Sequence, residues 1–176
     1  YENSSVAPNT HLGYMSQMCS SSHLSPPAAA LRWRTESDTA AFAAGLAAQP
    51  ALRNAYVELR GDLGAGKTTF VRHLLRALGV QGRIKSPTYA VVEPHETPDG
   101  LAVSHFDFYR FNDPREWADA GFRDVFAAPG LKLAEWPEHA AGLLPEPDLV
   151  VHIEALADDS RAVALAAPTP LGARLL

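Results

Sequence analysis

Eight consecutive residues, Gly61-Asp62-Leu63-Gly64-Ala65-Gly66-Lys67-Thr68, fill the pattern G-x-x-x-x-G-K-[ST]. Few folds can host this pattern, because its chemistry needs a strand before the loop and a helix after it. Ala55 to Arg60 alternates apolar and polar side chains and reads as the strand. Phe70, Val71, Leu74, Leu75 and Leu78 recur at helical spacing, with Arg72, His73 and Arg76 opposite and Gly79 as a stop. The glycines let backbone N–H groups wrap a phosphate, and the helix start adds its positive dipole end. Lys67 adds a point charge for the outer phosphates, and the Thr68 hydroxyl suits Mg²⁺. An ordinary turn accounts for Gly61 and Gly64 but not for Gly-Lys-Thr at a helix start.

The length of 176 residues and a hydrophobic fraction of 47% suit one domain with a full core. A net charge of -5 and a pI near 5.8 offer no basic footprint, so direct nucleic-acid binding by this chain is not expected. The single cysteine, Cys19, makes no internal disulfide, and no Cys/His cluster has zinc spacing, which fits a reducing cytoplasm. No window approaches the ~18 apolar residues that span a bilayer. Residues 1–30 are rich in Ser, Pro, Ala and Asn, with Glu2 the only charge. They are expected to form a disordered tail or to belong to an over-extended reading frame, with Met15 or Met18 as the start.

The folded part is expected from Leu31, with Leu31 to Arg34 a short strand and Thr35 or Ser37 capping a helix over about 38–48. Arg83 to Tyr89 form a polar loop in which Ser86 and Thr88 flank Pro87. Such a loop either senses a γ-phosphate or caps the next strand. Thr97-Pro98-Asp99-Gly100 predicts a turn that pairs Tyr89–Glu93 with Leu101–Phe106 as a hairpin. Asp107 follows that second strand, placed to hold Mg²⁺, to orient an attacking water, or to cap the loop. Asp113 and Pro114 predict a helix start, and Gly121 its end near Ala120. Leu131 to Trp136 reads as an apolar strand that delivers the carboxylate of Glu135 beside the glycine loop. Trp136 fits packing or a partner surface better than chemistry. Strands are expected at Leu149–Glu154 and Ala162–Ala166, with a tight turn at 158–161. Arg161 is either a solvated turn residue or lies over the nucleotide, and spacing alone favours the first. Residues 168–176 are expected to be a C-terminal tail.

Four segments, Gly-Asp-Leu-Gly-Ala-Gly-Lys-Thr-Thr at 61–69, Lys-Ser-Pro-Thr-Tyr at 85–89, His-x-Asp-x-Tyr-Arg at 105–110 and Glu-Trp-Pro at 135–137, resemble the TsaE (YjeE) family in order and spacing. The likeness covers about residues 31–167. It implies a three-layer P-loop α/β fold, with a mainly parallel central sheet joined by the antiparallel hairpin. It further implies binding of ATP and Mg²⁺, and action with TsaB and TsaD in making tRNA threonylcarbamoyladenosine, the tRNA being handled by those partners. In that scheme the ATP hydrolysis lets the TsaB–TsaD assembly turn over.

Carried over by position, Gly61, Asp62, Leu63, Gly64, Ala65, Gly66, Lys67, Thr68 and Thr69 hold the triphosphate. Thr68 and Glu135 match the Mg²⁺ ligands, and Asp107 the acid important for hydrolysis. Ser86 and Thr88 fall in the switch-like loop, and Trp136 is the aromatic after the metal ligand. Thr35, Glu36 and Arg161 fall near nucleotide-contacting positions. Phe108 stands where the family usually has Leu, a change of volume only. Two other classes share the loop. A small-molecule or nucleoside kinase should add an arginine-rich lid, and the stretch directly after Arg110 has only the scattered Arg115 and Arg123. A GTP-binding switch protein needs Asn-Lys-x-Asp, which does not occur. Without a second arginine beside the loop, hydrolysis by the isolated chain is expected to be slow.

Overall fold

A seven-stranded mixed sheet forms the middle layer of the computed structural model, which describes residues 29–176. Most of the proposed N-terminal tail lies outside the described residues. In chain order the elements are β1 (Ala29–Trp33), α1 (Glu36–Ala47), β2 (Tyr56–Arg60), α2 (Lys67–Ala77), β3 (Val92–Glu96), β4 (Ala102–Asp107), α3 (Pro114–Asp119), α4 (Phe122–Ala127), β5 (Leu131–Glu135), β6 (Leu149–Ala155) and β7 (Arg161–Ala166). The sheet order is β1-β7-β6-β2-β5-β4-β3. β4, β5, β2 and β6 run parallel, while β7, β1 and β3 complete the edges in antiparallel pairings.

Both faces of β2 are covered, as a central parallel strand requires. Val57 and Leu59 join Phe70, Val71, Leu74 and Leu75 of α2 on one face, where α1 packs beside α2. Trp33, Phe42 and Phe70 close that layer with ring centroids 5.5–5.9 Å apart. Tyr56 faces the other way, toward Phe106, Phe108, Trp117 and Phe122 under α3 and α4. Phe108 is fully buried there, stacked on Phe106 at 5.5 Å.

Several boundaries differ from expectation. α1 starts at Glu36 because Asp38 Oδ2 accepts from the backbone N–H groups of Thr35 (2.9 Å) and Arg34 (2.8 Å), closing the first turn two residues early. The hairpin forms, but its first strand begins at Val92 rather than Tyr89. Pro87 starts a turn, in which Val91 N donates to Pro87 O and Val91 itself has φ 64°. Pro94 then falls on edge strand β3, where its missing N–H breaks no ladder. The six-residue α4 has no counterpart in the sequence reading: Gly121, at φ 67°, ends α3 and begins α4 without an intervening loop. Nor do residues 168–176 hang free. Leu175 is buried in the main core, and Asp148 joins the segment to β2, accepting from Tyr56 N at 2.8 Å and Thr169 Oγ1 at 2.5 Å. The turn before β7 closes one residue earlier than expected, with Leu156 N donating to Ser160 O, so Arg161 belongs to the strand. Among the described residues no helix is long and apolar enough to cross a membrane.

Candidate nucleotide and cation site

The parallel strands β2, β4 and β5 all end at one edge of the sheet, and the candidate residues meet there, in the crevice where open α/β sheets bind ligands. Gly61, Gly64 and Gly66 have φ of 131°, 80° and 115°, backbone that glycine adopts without strain. At Gly61 a Cβ would collide with the carbonyl oxygen of Ile153, so this glycine is fixed by packing as well as conformation. The loop then enters the first turn of α2 at Lys67.

Two adjoining clefts share Gly66 and Thr69. The first, of about 320 Å³, is lined by Leu63, Gly64, Gly66, Lys67, Thr68, Thr69, Ser86, Thr88, Asp107, Tyr109, Glu135 and Trp136. The second, of about 250 Å³, is lined by Trp33, Arg34, Thr35, Glu36, Thr39, Ala65, Gly66, Thr69, Asp159 and Arg161. Gly61 and Asp62 line neither. Their carbonyls instead accept from Lys67 Nζ, at 2.5 and 2.9 Å. The same ammonium stands 3.9 Å from the Trp136 ring centroid, a cation–π contact. Trp136 therefore lines the cleft, beyond the packing or partner role its sequence suggested, and it does so with a left-handed backbone (φ 57°). Burial pulls the Lys67 ammonium below the ordinary lysine pKa, opposed by Glu135, Glu138, Asp107 and Asp62.

Glu135 and Asp107 are register partners across β5 and β4, both buried. They have different neighbours. Thr68 Oγ1 lies 3.0 and 2.8 Å from the two Glu135 oxygens. Asp107 Oδ2 instead accepts from Ser86 Oγ and, at 2.9 Å, from Thr88 Oγ1, while Oδ1 accepts from Tyr109 N at 2.9 Å. The loop hydroxyls and the acid form one cluster.

Thr35 and Glu36 reach the second cleft from the start of α1, and Glu36 Oε1 lies 2.8 Å from His73 Nε2 on α2. Arg161, solvated by spacing alone, donates from Nε to Ala65 O at 2.7 Å and so braces the glycine loop. Trp33, Arg34, Thr39, Tyr109 and Asp159 also line the clefts, although their sequence context does not mark them as site residues. Tyr109 carries the clearest signal of the five, since it sits inside the 105–110 segment. Trp33, Arg34 and Thr39 flank Thr35 and Glu36 but, like Asp159, belong to no motif of their own.

The donors present fit a phosphate-bearing ligand and a hard cation. The three left-handed glycines and the α2 N-terminus form an anion cradle. Thr68 and Glu135 offer only oxygen, as Mg²⁺ prefers. Among the described residues no three His, Cys, Asp or Glu converge as a metal site, so water and phosphate oxygens would complete the shell of such a cation.

A family model described as threonylcarbamoyl adenosine biosynthesis protein TsaE matches residues 33–163. A tRNA threonylcarbamoyladenosine biosynthesis protein TsaE from Haemophilus influenzae is 46% identical over 120 residues, covering 68% of this chain and 75% of that protein. The protein of the same name from Bacillus subtilis is 36% identical over 140 residues, covering 78% and 85% respectively. The crystal structure of Bacillus subtilis YdiB superposes with a TM-score of 0.65 at 27% identity, over 84% of this chain and 90% of that one.

Proposed function

The chain belongs to the TsaE family, and from that premise we propose that it is a Mg²⁺-dependent ATPase of tRNA threonylcarbamoyladenosine biosynthesis, working with TsaB and TsaD in the cytoplasm. The observation that carries the ATPase reading is Thr68 Oγ1 at 2.8 Å from Glu135, directly beside a glycine loop opening a helix. When bound, Mg²⁺ and ATP supply a scissile phosphoanhydride with part of its charge neutralised.

This chain's residues do the rest. The glycine loop and the α2 N-terminus bind the phosphates through backbone N–H groups, and Lys67 carries the positive charge toward the outer ones. Thr68 and Glu135 hold the cation. Asp107, the register partner of Glu135 on the neighbouring strand, orients a water and accepts its proton, and its bonds to Ser86 and Thr88 tie that role to the loop. Thr35, Glu36 and Arg161 face the adjoining cleft, where the nucleoside would lie. Among the described residues no arginine lines the phosphate-side cleft, which supports slow turnover alone and faster turnover when a partner completes or orders the site.

The test is ATP hydrolysis by the purified chain, alone and with TsaB and TsaD. Stimulation by the pair, abolished by Thr68→Ala and by Glu135→Ala, is the expected outcome. Turnover as fast alone as in the assembly overturns the partner dependence. Turnover that appears only with a small phosphate acceptor favours a kinase instead.

A further inference from the structure

His105 touches neither cleft, yet it holds a residue that does. It lies on β4 two positions before Asp107, with no exposed surface. Its Nε2 is 2.9 Å from Glu135 Oε1, the carboxylate that also meets the Thr68 hydroxyl. A carboxylate only accepts, so Nε2 carries the ring hydrogen and donates it. The other ring nitrogen, Nδ1, is buried and has no hydrogen-bond partner.

A fully buried imidazole with one unmatched nitrogen is a poor core residue, since the unmatched atom keeps its desolvation penalty. Leucine would fill such a place without that penalty. The one hydrogen bond the His105 side chain makes is with Glu135. His95 stacks on the ring with centroids 6.4 Å apart, which holds its plane. Thr68 reaches Glu135 from α2 and His105 reaches it from β4, so the carboxylate is gripped from two elements.

We propose that His105 is a positioning residue that fixes the Glu135 carboxylate beside Thr68 and thereby sets the affinity of the site for its divalent cation. This rests on the reading that Thr68 and Glu135 hold that cation. Outer partners that orient metal ligands commonly contribute about ten- to hundredfold in affinity.

The experiment uses Mn²⁺, visible by electron paramagnetic resonance, as a stand-in for Mg²⁺ on the full chain saturated with ADP. His105→Leu removes the donor at similar bulk, whereas His105→Gln places an amide N–H where Nε2 was. ADP affinity in EDTA reports on the folded loop without the cation. The expected result is Mn²⁺ affinity about ten- to hundredfold weaker in His105→Leu, recovered within a few-fold in His105→Gln, with ADP affinity in EDTA unchanged in both. If His105→Leu fails to fold, His105→Asn takes its place, since its shorter amide falls short of Glu135. Mn²⁺ affinity equal to the parent in the donor-less variant, or as weak in His105→Gln as in His105→Leu, overturns the positioning role while Glu135→Ala still weakens binding. Mn²⁺ affinity that Glu135→Ala leaves equal to the parent's overturns the cation site itself, and the proposal with it.

Discussion

Lys67 is held by two loop carbonyls and the face of Trp136, so its ammonium is fully engaged before any anion reaches it. Replacing it with methionine keeps the stem that packs the α2 start and deletes the charge together with its bonds to the Gly61 and Asp62 carbonyls. A hydrogen bond from a charged donor contributes about 1.5–3 kcal/mol. Lys67→Met should therefore weaken binding of a triphosphate about ten- to hundredfold by titration calorimetry, with an unchanged circular dichroism spectrum. Gly61 makes a different demand. Its φ of 131° and the carbonyl of Ile153, which stands where a Cβ would go, leave no room for alanine. Gly61→Ala should lose about 2 kcal/mol or more of stability in urea unfolding. An unchanged midpoint would mean that the strand and loop yield more easily than this geometry allows. At this scale much was readable from the chain alone. The loop residues, Glu135 and Asp107 announce themselves by type and order, whereas Arg161 reaches the loop from 96 positions away, and no spacing rule spans that distance.

The first turn of α1 is closed by the Asp38 carboxylate. The backbone N–H of Thr35, then that of Arg34, hold its pKa below the ordinary value of 3.8. A carboxylate whose pKa falls on folding stabilises the fold in its ionised form. That contribution is complete above the unfolded-chain value and is lost as pH falls through the folded one. Asp38→Ala should lower the unfolding midpoint at pH 7, and the gap to the parent should narrow as pH drops below about 4. A gap that stays constant down to about pH 2 would rule out the carboxylate as its source. Elements with a long apolar repeat were legible, as α2 shows with Phe70, Val71, Leu74 and Leu75. Short ones were not. α4 has six residues and no cap of its own, and the start of β3 is decided by the turn after Pro87 rather than by any alternation. The C-terminal residues read as a tail because their anchor, Asp148, lies before β6 and well away in sequence.

Over the whole molecule, a ligand that binds only the folded state raises stability by about 2.7 kcal/mol when present at about 100 times its dissociation constant. For a domain of this size that amounts to about 5–10 °C in melting temperature. ATP with Mg²⁺ should give such a rise, and Glu135→Ala should remove the part that depends on Mg²⁺. A melting temperature indifferent to ATP would count against the whole site. The hairpin partners β3 and β4 and the place of β5 beside β2 were legible, but the neighbours of β1, β6 and β7 were not, because side-chain alternation shows that a segment is a strand but not who its neighbours are. That order matters for how the molecule is made. β2 bears the glycine loop, yet both strands that flank it, β5 and β6, come after residue 130. A chain leaving the ribosome thus carries a complete phosphate loop on a strand with two bare edges, and gains Glu135 and Arg161 only once β5 and β7 have been made. Products cut short before Leu131 would expose that strand to other chains, which makes early release a greater hazard here than late damage.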